Sequence, residues 1–241
     1  MFPDSDALAY AAALQLTELS AAAIADRGVF TLALSGGSTP KKLYAILAKD
    51  PAFATFPWAK TQLFFGDERH VGPDDAESNF RMVKETLLST GHVPEGHLHR
   101  VFAELSDATQ AAAEYEAEMR RDFVDDARLD GFPRFDVILL GMGPDGHTAS
   151  LFPGSAALEE KKAWVVANWV EKFKTHRITF TFPVLDAARA VLLLVAGADK
   201  APMIRQVLGD PRGVYPVERV QPRDGVTVWM LDQAAAAELS A

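Results

Sequence analysis

Val137-Ile138-Leu139-Leu140 runs without a polar residue directly into Gly141-Met142-Gly143-Pro144-Asp145-Gly146-His147-Thr148-Ala149-Ser150-Leu151-Phe152-Pro153-Gly154. An aliphatic run this short, ended by glycine, reads as a strand buried on both faces. Such a strand needs a covering layer above and below, so the chain is constrained to a layered α/β fold. The glycines let the backbone turn sharply and approach a ligand closely. Asp145 and His147 sit inside that turn, and an imidazole suits proton transfer near neutral pH. A strand end carrying glycines, a carboxylate and an imidazole is where α/β sheets keep their chemistry. A tight turn with a surface His is the plainer reading of the same residues.

The same arrangement recurs along the chain. Asp6–Arg27 has helical spacing and ends at Gly28. Val29–Leu34 is a short apolar strand that breaks at Ser35-Gly36-Gly37-Ser38-Thr39-Pro40, after which Lys41–Lys49 is helical with Pro40 in its first turn. Thr61–Phe65 is a strand followed by Gly66-Asp67-Glu68-Arg69-His70 and a polar loop. Helices are predicted over Glu77–Leu88 and Asp107–Arg128, and a strand over Phe135–Leu140. Farther on, Trp164–Val170, Arg177–Phe182 (stopped by Pro183), Val191–Val195 and Val226–Leu231 read as strands. A helix is expected from Gly197-Ala198-Asp199-Lys200 to Leu208, a loop over Gly209–Gly225, and a short terminal helix over Gln233–Leu239. Alternating strands and helices imply a doubly wound, mostly parallel sheet flanked by helices, Rossmann-like, with residues 1–241 as a single domain.

Composition narrows the function classes. The formal charge of −9, from 24 Lys and Arg against 33 Asp and Glu, argues against a nucleic-acid partner. The absence of Cys excludes disulfides, thiolate metal sites and a thiol nucleophile. Met1-Phe2-Pro3-Asp4-Ser5-Asp6 is acidic where a signal peptide is basic, and the Ala-rich sequel reads as amphipathic rather than membrane-spanning. The expectation is a soluble cytoplasmic protein, no membrane partner, and a monomer or small homo-oligomer.

Three strand-to-loop junctions carry candidate chemistry. Gly36 and Gly37, with Ser38 and Thr39 at a helix start, present backbone N–H groups, hydroxyls and a positive dipole end to an anion. The loop is neither a Walker loop nor a dinucleotide fingerprint, and a helix cap provided by Thr39 accounts for it equally well. Asp67 and Arg69 follow a strand, Arg offering a planar donor fork; a solvated loop with a local ion pair is the alternative. Arg177 and Lys200 lie at a strand start and a helix start, where two cations would complete a phosphate clamp or simply decorate a surface. His70, His92, His97, His99 and His176 have no metal-ligand spacing, so no metal site is expected. Trp58, Trp164, Trp169 and Trp229 read as packing residues. No Gly-x-Ser-x-Gly elbow is present, which leaves hydrolysis by direct attack of water.

The segments Leu34–Pro40, Phe65–Arg69, Ser78-Asn79, Gly141–Gly154, Arg177-Ile178-Thr179 and Asp199-Lys200-Ala201 together resemble the 6-phosphogluconolactonases of the pentose phosphate pathway, which are related to glucosamine-6-phosphate deaminase/isomerase. Two features favour the lactonase side. Arg69 stands where the deaminases have Tyr, and Gly146-His147-Thr148-Ala149-Ser150-Leu151-Phe152-Pro153 lacks the deaminases' catalytic Glu. Lys172-Phe173-Lys174-Thr175-His176 replaces the Pro-rich lead-in common among the lactonases. The resemblance implies hydrolysis of 6-phospho-D-glucono-1,5-lactone without a metal or organic cofactor. It implies His147 as the base activating water and Asp145 as its orienting neighbour. It further implies Gly36, Gly37, Ser38, Thr39, Arg177 and Lys200 around the phosphate, and Asp67 and Arg69 along the lactone. The alternatives are a glucosamine-6-phosphate deaminase/isomerase-like enzyme and a non-catalytic sugar-phosphate-binding regulator.

Overall fold

The computed structural model describes residues 1–124, 127–209 and 213–239. In chain order the elements are α1 (Ser5–Arg27), β1 (Phe30–Leu34), α2 (Ser38–Lys49), β2 (Thr61–Phe65), β3 (Asp67–Arg69), α3 (Asn79–Thr86), α4 (Ala108–Asp122), β4 (Arg128–Leu129), β5 (Phe132–Pro133), β6 (Val137–Leu140), β7 (Val165–Val170), β8 (Thr175–Phe180), α5 (Phe182–Ala187), β9 (Ala190–Val195), α6 (Ala201–Ile204) and β10 (Val226–Leu231). Short 3-10 turns join several of them.

The central sheet has the order β10-β9-β6-β1-β2, and every neighbouring pair is parallel. All residues of β6 and β9 are buried, as expected of central strands covered on both faces. On one side α1 and α2 pack together. The buried residues Leu8, Ala9, Ala12, Ala13 and Leu16 form one helical stripe on α1. By length and composition this helix passes for a membrane span, but here that stripe is part of the protein core. Asp4 caps its start by accepting from the Asp6 and Ala7 N–H groups, and Gly28 ends it in the left-handed conformation.

Because the strands are parallel, their carboxyl ends lie along one edge. The chain runs from β1 outward to β2 and then returns to the other side of β1 with β6. The strand order therefore reverses between β1 and β6, which opens a crevice above their carboxyl ends. The two glycine loops, 35–37 and 141–147, leave the sheet at this crevice.

Several expectations are corrected. Asp67–Arg69 is a strand, not a loop, and pairs antiparallel with β8. β7 and β8 also pair antiparallel, so the three form a separate sheet, β3-β8-β7. Gly66 joins the two sheets: its N–H donates to Leu34 O at 2.9 Å and its carbonyl accepts from Phe180 N at 2.9 Å. The helix expected over Asp107–Arg128 ends at Asp122, because Phe123 turns into the core against Phe64 and Phe135; residues 125–126 of that expectation lie outside the described residues. Pro183 opens α5 rather than merely ending a strand. Gln233–Leu239 forms turns rather than a helix: Ala236 N bonds to Asp232 O four residues back, but Ala237 N and Leu239 N bond to Ala234 O and Ala236 O three back.

Candidate active site

A cavity of about 300 Å³ fills the crevice, and its wall brings together Gly36, Gly37, Ser38, Thr39, Asp67, Arg69, His147 and Lys200. Ser35, Asn79, Met142 and Leu194 complete much of the lining. Two further expected site residues adjoin this wall: Asp145 contacts His147, and Arg177 stands opposite Arg69 in the β3–β8 pairing.

The imidazole end is built within a few residues of chain. His147 Nδ1 donates to Asp145 Oδ1 at 2.5 Å, which fixes the tautomer and leaves Nε2 with its lone pair. The ring stacks on Phe152 with centroids 4.1 Å apart. Gly143 has to be glycine, since a Cβ there would come within 2.0 Å of the imidazole Cε1 and Nδ1. Burial raises the Asp145 pKa, but the hydrogen bond and charge of His147 outweigh it and hold the carboxyl below its ordinary value. Lys172 Nζ stands 3.6 Å from the other Asp145 oxygen. Ala149, on the same loop and on the cavity wall, is held at φ 45°, a conformation that costs a non-glycine residue energy.

The opposite end is a helix start. α2 begins at Ser38, three residues earlier than expected, because Gly37 at φ 106° turns the chain and serves as its N-cap. Thr39 is thus inside the first turn rather than the cap, and no side chain caps the helix. Its first N–H groups and the positive end of its dipole face the cavity lined by Gly37, Ser38 and Thr39. Lys200 reaches the same wall, its Nζ 3.1 Å from Asp199 Oδ2. Upstream, the buried Tyr44 hydroxyl donates to Ser35 O at 2.8 Å and accepts from Ser35 N at 2.9 Å, tying the loop to its own helix. Burial pushes the Tyr44 hydroxyl pKa well above its usual value, so it stays protonated.

The third wall is β3. Side chains alternate along a strand, so Asp67 and Arg69 face the cavity while Glu68 faces away. Glu68 is buried and accepts from Asn79 N at 2.8 Å, Phe80 N at 2.7 Å and Ser78 Oγ at 3.2 Å, and so anchors the start of α3. Burial raises its pKa, against the lowering effect of those backbone N–H groups. Asp67 Oδ2 accepts from Ser150 Oγ at 2.7 Å, and Ser150 N donates to Thr179 Oγ1 at 3.2 Å. Asn79 Nδ2 donates to Asp67 O at 2.9 Å, while its Oδ1 presses on Gly36, where a Cβ would lie 2.0 Å away. Arg177 is the cross-strand partner of Arg69 in the β3–β8 register. It is buried, its Nε has no partner among the described residues, and burial together with the Arg69 charge lowers its pKa. Two guanidinium groups on neighbouring strands make this wall attractive to an anion. Tyr44 was not singled out from the sequence, and Glu68, Asn79 and Ser150 were noted within motifs without a role of their own. Only Ser78-Asn79, a helix-cap signal, could have pointed to one of them.

The glucosamine-6-phosphate isomerase/6-phosphogluconolactonase family model matches residues 3–229. The chain is 41% identical to the 6-phosphogluconolactonase of Nostoc sp. over 243 residues, covering 100% of this chain and 97% of that protein. This chain belongs to the glucosamine-6-phosphate isomerase/6-phosphogluconolactonase family. Among solved members, 6-phosphogluconolactonase from Trypanosoma cruzi superposes with a TM-score of 0.86 at 31% identity, over 99% of this chain and 95% of that one. A monomeric glucosamine-6-phosphate deaminase superposes with a TM-score of 0.77 over 98% of this chain and 97% of that one; at 20% identity it shares the fold alone. The lead-in to β8 at Lys172–Thr175 turns through Lys174 at φ 52°, and Lys172 Nζ lies 3.6 Å from Asp145 Oδ2.

Proposed function

We propose that this protein hydrolyses 6-phospho-D-glucono-1,5-lactone to 6-phospho-D-gluconate. One observation carries the reading: an imidazole with its tautomer fixed by a carboxylate shares a cavity with an uncapped helix start and a lysine. The first is a base for water and the second a seat for a phosphate, as the resemblance to the lactonases implies. The substrate phosphate is held by Gly36, Gly37, Ser38 and Thr39 with Lys200, and by Arg177 from its place opposite Arg69. This anchoring orients the lactone and directs remote binding energy toward positioning the reacting carbonyl.

His147 Nε2 takes a proton from water as the water oxygen bonds to C1. The resulting oxyanion is met by Arg69 or by the N–H groups of the glycine turn. Collapse breaks the bond from C1 to the ring oxygen, which receives the proton from His147. Asp145 balances the imidazolium in between, and Asp67 lines the lactone. Nothing is oxidised or reduced, so the step requires no organic cofactor. Residues 1–241 act as one domain in this reading, in a soluble, cytoplasmic setting; the burial of the α1 stripe supports α1 as a core helix rather than a membrane span.

The test is a coupled assay with freshly prepared lactone, corrected for spontaneous hydrolysis. Product release well above the spontaneous rate, with the unphosphorylated lactone used poorly, supports the proposal. No acceleration, or ammonia release from glucosamine 6-phosphate, overturns it.

A further inference from the structure

Outside the cavity, the last turn of α4 passes the segment that runs alongside β2. There His99 Nδ1 lies 2.8 Å from Glu118 Oε1 and 3.3 Å from Asp122 Oδ2. The three ligand atoms all fall within 4.8 Å of one another. Glu118 and Asp122 are four residues apart on α4 and so share one face of the helix. The imidazole is rigidly placed: His99 N donates to Leu63 O at 2.8 Å, and the ring stacks on Phe64 with centroids 4.3 Å apart and planes 10° apart. Its Nε2 lies 2.9 Å from Gln62 Oε1.

An amide oxygen only accepts, so Nε2 carries the ring proton. Whenever the ring is neutral, Nδ1 then turns a lone pair toward two carboxylates, which offer only lone pairs themselves. Three such atoms converging need an electrophile between them. A second ring proton points along one direction, whereas a cation serves all three at once. The charges also match, two carboxylates and a neutral imidazole against a divalent ion, and among the described residues no Lys or Arg forms an ion pair with either carboxylate. Zinc bonds of about 2.0–2.1 Å give a tetrahedron with edges of roughly 3.3–3.4 Å. The separation from Asp122 already equals that edge, and the one from Glu118 needs to open by about half an ångström. An acceptor on the far nitrogen is the usual support of a metal-bound histidine. Asp122 is partly exposed, leaving a path for entry and room for water as the fourth ligand.

We propose that His99, Glu118 and Asp122 bind a divalent first-row cation of the zinc class, which pins the end of α4 to β2 and has no part in turnover. The proposal is independent of the catalytic reading. It is tested by titrating Zn²⁺ into chelator-treated full-length protein, following heat and thermal unfolding. The expected result is one saturable equivalent, with Tm raised by about 5–10 °C at a hundredfold excess over Kd. Asp122→Asn, on an exposed side of the cluster, should weaken binding at least tenfold without shifting the metal-free Tm appreciably. Gln62→Leu should weaken it by about 10-fold through the loss of the supporting acceptor. Co²⁺ should give the visible bands of a four-coordinate site, absent in the Asp122→Asn protein. No saturable binding, unchanged affinity in Asp122→Asn, or loss of activity in step with Zn²⁺ uptake would each overturn the proposal.

Discussion

The two arms of the cavity are built in opposite ways. The imidazole arm is local: His147, its partner Asp145, its stacking partner Phe152 and the glycine that makes room for the ring all lie between 143 and 152. The β3 arm is assembled from distant chain segments. Asp67 is held by Ser150, Glu68 by the start of α3, and Arg69 lies opposite Arg177 on β8. His147 and Asp145 of the local arm are partly exposed and, in the proposed reaction, handle the proton, whereas Asp67 and Glu68 of the β3 arm are buried. In the proposed reaction proton transfer falls to the local arm alone, so substitutions at His147 and at the buried Glu68 should fail differently.

The largest effect is expected in the local arm. His147→Ala should lower turnover about 10²–10⁴-fold, with KM within a few-fold and the fold intact, as measured by steady-state kinetics beside circular dichroism. A comparable loss of stability would erase the contrast between the arms.

Glu68→Ala should act in reverse. It strands the N–H groups of Asn79 and Phe80 in a buried setting, and unfolding in urea should show a loss of about 3 kcal/mol. Turnover per folded molecule should change far less than in His147→Ala.

The pH dependence of stability sharpens the comparison, because the two carboxyls shift in opposite directions. Asp145 is held below its ordinary value of 3.8, so its contribution is present above that pH and lost as pH falls through the folded value. Glu68 is raised above its ordinary value of 4.5; the folded state binds its proton more tightly, and its contribution fades as pH rises from there. Urea midpoints between pH 3 and 7 should therefore show the wild-type advantage over Asp145→Asn shrinking on the acid side. The advantage over Glu68→Gln should shrink on the neutral side. Parallel curves would contradict the assignment.

The smallest effect belongs to Lys172, whose contact with Asp145 is exposed. Lys172→Ala should cost less than about 0.5 kcal/mol and leave turnover within about twofold.

The same contrast explains what could be read from the sequence. The strand Val137–Leu140 and its glycine turn were legible because every cue is contiguous: an aliphatic run, a breaker, and two functional side chains in the turn. The helix start after β1 was legible for the same reason, though Gly37 places it earlier than Pro40 suggested. Asp67-Glu68-Arg69 was not legible as a strand, since three charged residues have poor strand propensity and pair with β8 more than a hundred residues away. Glu68 is indistinguishable in sequence from a solvated surface acid, and only the fold shows it buried under α3. Ala-rich 233–239 resembles a helix, yet its backbone bonds mix three- and four-residue spacings and close only turns. Arg177 was expected in a phosphate clamp with Lys200, and cross-strand pairing sets it opposite Arg69, a neighbour the sequence did not reveal.

The most direct measurement is a crystal structure with bound 6-phosphogluconate. Its phosphate should lie on the N–H groups of Ser38 and Thr39 within reach of Lys200, and its C1 carboxylate within about 3 Å of His147 Nε2. A phosphate seated elsewhere, or a C1 carboxylate turned away from His147, would contradict the pairing of base and phosphate seat across one cavity.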